Sequence, residues 1–185
     1  MGDAFVYDKS DYHMGNGADT WEKASGPALF ILRWMIERNF LDPEFWDGAA
    51  DSLAKYRAGQ ISLFELYEKE CDLSLVNDQF SLDGNAFGQK YFDYESGLYL
   101  DDLGSVLPYG KTSFPEFSED AYGRLRSTID FRYATWQQGA GELTKSPGDS
   151  ERTMLWKLMG ILVLLAIVVG IGVIIYILNL KIQPP

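Results

Sequence analysis

Apolar positions along this chain recur at helical spacing in several stretches between Ser25 and Gln138, and between Leu158 and Leu178 they become continuous. The first periodic stretch opens at Ser25-Gly26-Pro27, where Pro27 suits the first turn of a helix, and runs to Arg38, with Leu29, Leu32, Ile36 and Phe40 on one stripe and Phe30, Trp34 and Met35 beside them. Asp42-Pro43 repeats the cap-then-proline signal, and Phe45, Trp46, Ala49, Leu53 and Tyr56 predict one helix that Gly59 stops. Ser62-Leu63-Phe64-Glu65 reads as a capping box, so a third helix is expected over Leu63 to Cys71. A loop with a short helical turn should follow to Gln79. Asp83 to Phe92 predicts a helix with an Asp or Asn cap, Glu95-Ser96-Gly97 a turn, and Leu98 to Leu103 a short segment. Pro108 to Pro115 is a loop by composition. Ser118 opens the last periodic helix, to about Gln138, with Ala121, Tyr122, Leu125, Ile129, Tyr133 and Trp136 on one side. Residues 1 to 24 are polar, with Tyr7, Tyr12, His13 and Trp21 irregularly spaced, and predict an extended lead-in with a short strand or turn.

The run from Leu158 to Leu178 holds 21 residues without a charge, fifteen of them Leu, Ile or Val. At about 1.5 Å per residue it measures roughly 31 Å, against a hydrocarbon core of roughly 30 Å. A buried helix of a soluble domain would carry a polar stripe, and this run has none. Fifteen such residues contribute roughly −5 to −9 kcal/mol to insertion. Leu158, Ile161, Leu165, Val169, Ile174 and Leu178 mark its length, while Trp156, Tyr176, Lys157 and Lys181 stand near its ends. Ala166 and Gly170, four apart, would let two such helices approach, so a homodimer through this segment is a possible partner state.

The expected fold is therefore mainly α: a single helical soluble domain over residues 1–138, a tether over 139–154, a transmembrane helix over 155–180 and a tail over 181–185. Met1 to Asp8 lacks a basic patch and an apolar stretch, and Lys145, Arg152 and Lys157 precede the span while Lys181 follows it, which predicts a tail-anchored protein of the bacterial inner membrane with its N-terminal domain in the cytoplasm. Val6 stands where a myristoylation signal needs Ser or Thr.

Charge narrows the partners. The chain carries 16 basic and 27 acidic side chains, and residues up to 150 hold 13 and 26 of them, a net of −13. Such a body repels phosphate backbones, so nucleic acid is excluded and a basic protein is the natural complement beside the lipid bilayer. One cysteine, Cys71, rules out an internal disulfide, and one histidine, His13, rules out His-pair metal sites; no cofactor is expected.

Two groups of residues carry candidate chemistry. Tyr91, Asp93, Tyr94, Glu95, Tyr99, Asp101 and Asp102 lie in a segment dense in aromatics and carboxylates. They could form a partner-binding rim in which tyrosines give contact area and acids steer a basic ligand, a plain solvated surface, or paired carboxylates for acid–base chemistry. Asp8, Asp11 and His13 could hold a divalent metal, or could form a turn in which the acids bond local amides.

The strings Tyr7-Asp8-Lys9-Ser10-Asp11-Tyr12-His13, Phe30 to Arg38, Gly84-Asn85-Ala86-Phe87 and Tyr91 to Leu100 occur in order. Together, over about residues 5 to 104, they resemble a family of small bacterial cytoplasmic proteins of unknown function. Ala24-Ser25-Gly26-Pro27 stands where members usually carry a second histidine. The resemblance implies an accessory protein of polymorphic toxin loci, with an immunity or binding role. The function expected is thus binding of a protein partner by a membrane-held acidic domain, an immunity-type protein neutralising a toxin. A membrane-tethered metal-dependent hydrolase using Asp8, Asp11 and His13, or a membrane recruitment adaptor, stands as the alternative.

Overall fold

The computed structural model describes residues 4–107 and 114–139. Among them stand eight α-helices and one two-stranded sheet: β1 (Val6–Lys9), α1 (Trp21–Ala24), α2 (Gly26–Glu37), α3 (Pro43–Gly48), α4 (Ala50–Arg57), α5 (Leu63–Cys71), β2 (Ser74–Val76), α6 (Leu82–Tyr91), α7 (Tyr99–Val106) and α8 (Glu119–Gln137). One-turn 3-10 helices follow each strand, at Ser10–Tyr12 and Asn77–Gln79. The described part is mainly helical, as its periodicity predicts.

Helix α2 is the axis of the core. Ten of its twelve residues are buried, including Leu29, Phe30, Ile31, Leu32, Trp34 and Met35, because α5, β1 and β2 cover it while α8 reaches across from another side. Each large side chain so buried contributes about 1.5–3 kcal/mol of transfer free energy. Trp34 donates its Nε1–H to Asp130 of α8 at 2.8 Å, and Arg38–Asp130 and Arg126–Glu37 pairs, both at 2.5 Å, tie the same two helices at the surface.

The local signals that predict helix starts are realised atom by atom. Asp42 accepts from the amides of Glu44 and Phe45; Ser62 and Glu65 exchange both bonds of the capping box; Ser118 accepts from Ala121 N–H. Three expectations are corrected. The helix expected from Pro43 to Tyr56 is two, broken where Ala49, with φ −104° and ψ 11°, leaves helical geometry after Gly48 and donates to Trp46 O instead. The cap of α6 is Ser81, which accepts from Gly84 N–H, rather than an Asp or Asn. The stretch 72–79 holds strand β2, antiparallel to β1 with Val6 opposite Val76, Asp8 opposite Leu75 and Lys9 opposite Ser74.

The Gly84-Asn85-Ala86-Phe87 string has a packing role. A Cβ at Gly84 would come within 2.8 Å of Phe40 Cβ, and Phe87 is fully buried. Asn85 accepts from the Tyr7 hydroxyl at 2.6 Å and donates to the carbonyls of Asn77 and Phe80, so one amide ties β1, the turn after β2 and α6 together.

Candidate functional site

The aromatic and acidic segment 91–102 does not form one rim. Tyr91 and Tyr99 are fully buried, Tyr91 stacking on Phe87 at 5.2 Å and Tyr99 donating its hydroxyl to Pro27 O at 2.7 Å. Asp102 is 4% exposed and is gripped by Arg132 of α8 through two bonds of 2.8 Å, with the Tyr91 hydroxyl donating to it at 3.0 Å. Burial first, and then the Asp102 charge, hold the Tyr91 hydroxyl well above the usual phenol range. These three side chains supply no contact area to a partner. Asp93 is tied into its own turn, accepting from the Ser96 hydroxyl and from the amides of Glu95 and Ser96, and the Ser96 hydrogen bond leads in holding its carboxyl below the usual range. Tyr94 is half-buried between His13 and Tyr99; Glu95 and Asp101 are exposed.

Of Asp8, Asp11 and His13 the fold brings two together. His13 Nε2 lies 2.7 Å from Asp8 Oδ1, with both side chains buried, while Asp11 faces solvent. The rings of Phe114 and Tyr94 close over His13 at centroid distances of 5.0 and 6.1 Å. Among the described residues no three His, Cys, Asp or Glu stand close enough to hold a metal ion. Nearby, the Ser10 hydroxyl donates to the Tyr67 hydroxyl and lies 2.8 Å from that of Ser25, which donates to the carbonyl of Trp21 at 2.7 Å. Together these bonds pin the loop between β1 and α2 from beneath.

On the outer side of that pinned loop the sequence reading missed a face. Tyr12 is 55% exposed and Trp21 43% exposed, and they flank a loop whose ends, the first 3-10 turn and α1, pack on each other. Asp11, Asp19 and Glu22 are exposed around them. Leu82 on α6 and Phe131 on α8 are also large exposed apolar side chains, but only Tyr12 and Trp21 stand on two turns that pack on each other. Thr20 caps α1 by accepting from Lys23 N–H, and Lys23 reaches Asp19 at 3.1 Å and Glu116 at 3.5 Å. The Asp19 hydrogen bond leads in raising the Lys23 ammonium above its usual value, and the same bond lowers Asp19.

Beside this face lies a groove of about 440 Å³, lined by Thr20, Glu22, Lys23, Leu29, Ser62, Leu63, Phe64, Glu116 and Phe117. A second, more open groove of about 640 Å³ runs along α3 and α4, past Leu41, Trp46, Ala50, Ala54 and Arg57. No periodicity points to Tyr12 and Trp21; the only signal available is that neither belongs to an apolar stripe.

The residues expected to span a membrane, Leu158, Ile161, Leu165, Val169, Ile174 and Leu178, and the small pair Ala166 and Gly170, lie outside the described residues. Among the described residues no helix is long and apolar enough to cross a membrane.

A family model described as "Domain of unknown function (DUF7832)" matches residues 6–117, more than half of the chain, and the chain belongs to that family. The match takes in the Tyr12–Trp21 face, both strands and α1 to α7, and ends before α8. No curated protein and no solved structure matches it.

Proposed function

We propose that this member of the DUF7832 family is a binding protein, held at the bacterial inner membrane by its apolar C-terminal run, whose acidic cytoplasmic body captures a basic protein and acts as an immunity-type protein against a toxin. The observation that carries the reading is the Tyr12–Trp21 face: two exposed aromatics among the exposed carboxylates of Asp11, Asp19 and Glu22. Aromatic anchors supply contact area at low entropic cost, and like-signed charges around them accelerate encounter with an oppositely charged surface. The net charge of −13 over residues 1–150 favours the same kind of partner over its whole surface. Tethering to a bilayer raises the effective concentration of such a binder wherever its target arrives at the membrane.

Co-expression with toxins encoded beside the gene is the test. Protection of the host, with a complex recovered on the full chain and lost in Tyr12→Ala/Trp21→Ala, is the expected outcome. No protection and no complex would overturn the immunity reading. Recovery of the full chain in the carbonate-washed membrane pellet, with residues 1–138 open to protease only after the cells are broken, is expected of the topology; release by carbonate, or cleavage in intact cells, would refute it.

A further inference from the structure

The groove beside α1 differs in chemistry between its floor and its mouth. Leu29 and Leu63 form the floor, each almost wholly buried, and the rings of Phe64 and Phe117 form half-buried walls. The mouth carries two exposed carboxylates, Glu22 and Glu116, together with the half-exposed ammonium of Lys23. A guest that satisfies both halves needs an apolar stem several methylenes long, ending in a cation. Such a guest lays its stem along apolar surface and keeps its charge at the water boundary.

We propose that this groove is the socket for one arginine side chain of the basic partner, an inference that rests on the binding function above and names the residue type that function reads. The guanidinium is favoured over an ammonium for two reasons. Its planar fork can bond a carboxylate with two parallel N–H donors, and its face stacks on an aromatic ring, here Phe64 or Phe117. Glu116 is held in the free protein by Lys23 at 3.5 Å, but Lys23 has a closer partner in Asp19 at 3.1 Å, four residues before it on the same turn. An incoming guanidinium takes Glu116, and Lys23 keeps Asp19, so no charge is left unpaired by the exchange. The volume of about 440 Å³ falls in the range that holds one small guest.

The side-chain mimics of arginine separate the parts of this claim. The full chain, with Leu and aromatic side chains isotopically labelled and the protein in lipid nanodiscs, is titrated with n-butylguanidinium, with guanidinium alone and with 1-butanol, and followed by NMR. The expected result is a saturable shift of the Leu29 and Leu63 methyl signals with n-butylguanidinium, and none with either fragment. Glu22→Gln/Glu116→Gln should weaken that response about tenfold, the loss of a charge-assisted bond, and Lys23→Met should strengthen it severalfold by removing the competitor for Glu116. These side chains sit at the surface, so the variants keep the fold. Saturable shifts confined to Tyr12 and Trp21 would overturn the socket and leave the binding face standing. Shifts at Leu29 and Leu63 that ignore the double glutamine variant, or no saturable shift at all, would also overturn the socket. The binding function itself is decided by the co-expression experiment, not by this one.

Discussion

Two parts of this molecule have the same ingredients and opposite fates. The stretch 91–102 and the stretch 11–23 both mix tyrosine or tryptophan with carboxylates, yet the first folds Tyr91, Tyr99 and Asp102 into the interior while the second leaves Tyr12, Trp21, Asp11, Asp19 and Glu22 at the surface. The difference is a countercharge. Arg132 arrives from α8, 30 residues away, and meets Asp102 side-on with its Nε and Nη2 donors, so the acid can be buried along with the aromatics around it. The loop 11–23 has only Lys23, whose reach is spent on Asp19 and Glu116 at the surface. Composition alone does not tell a binding face from a core; the partner that the tertiary fold delivers does.

The contrast is broken most directly at Arg132. Arg132→Ala leaves Asp102 as a buried charge without its counter-ion, and the expected loss is about 3–5 kcal/mol, read from urea or thermal unfolding of the full chain in detergent. Asp102→Leu/Arg132→Met, which removes both charges, should recover most of that stability, because the cost lies in the orphaned charge rather than in the missing bond. Glu95→Ala, in the same stretch but exposed, should stay within about 0.5 kcal/mol. A loss below about 1 kcal/mol for Arg132→Ala would mean that Asp102 is not enclosed as described.

A smaller effect is expected at Gly26. A Cβ there would fall 1.9 Å from the carbonyl oxygen of Pro115, a backbone atom that cannot rotate away. Gly26→Ala must therefore push the 114–117 segment off the start of α2, at a cost of about 1–3 kcal/mol. Because Glu116 and Phe117 belong to that segment, the same substitution should disturb the groove beside Trp21 while leaving the Asp102–Arg132 pair in place. Solvent exposure of Phe117, followed by hydrogen exchange on the flanking amides, is the measurement; unchanged exchange there together with unchanged stability would contradict the close approach.

The helical skeleton was legible because its signals are local. Asp42-Pro43, Ser62 with Glu65 and Ser118 each lie within a turn of the amides they cap, and the stripe of α2 reads directly from spacing. What was not legible depends on distant partners. β1 falls within the extended lead-in where the sequence predicts a short strand or turn, but β2 is only three residues long and pairs with it across 65 to 70 residues, so it carries too little alternation to announce itself. Asp8 and His13 are near in sequence, but their burial needs Tyr94 and Phe114 to close over them. The expected rim at 91–102 failed for want of one fact, that Arg132 on another helix faces Asp102. The positions of Tyr12 and Trp21 depend on a loop held by Ser10, Ser25 and the Asp8–His13 pair, contacts that no local pattern encodes.

Alkaline pH acts on the buried side of the comparison. Burial pushes the Cys71 thiol up to about 12 from an unfolded value near 9, and it also raises the hydroxyls of Tyr7, Tyr67 and Tyr91. Between pH 9 and 12 the unfolded chain releases the thiol proton and the native chain retains it. Stability from this group is thus complete below about pH 9 and is lost as pH rises toward 12. Denaturation midpoints should be flat from pH 7 to about 9 and then fall, and a disulfide reagent should label Cys71 at pH 8 only after unfolding. Rapid labelling of the native protein at that pH would show that the thiol is not enclosed.

The exposed side should show the smallest effect on stability and the largest effect on recognition. Tyr12→Ala and Trp21→Ala remove rings that are about half in water, so little packing is lost and each variant should unfold within about 0.5–1 kcal/mol of the parent. The Lys23–Asp19 pair and the Asp8–His13 pair do not involve either ring. If the face binds a basic protein, the same substitutions should weaken capture of that protein at least about tenfold, as expected when aromatic anchors leave an interface centre, and raised salt should weaken it further by slowing encounter. Equal capture by parent and variants, with unchanged stability in both, would move the interface elsewhere; the groove along α3 and α4 is then the next surface to probe. A stability loss as large as that of Arg132→Ala would instead place the two aromatics on the buried side of the comparison.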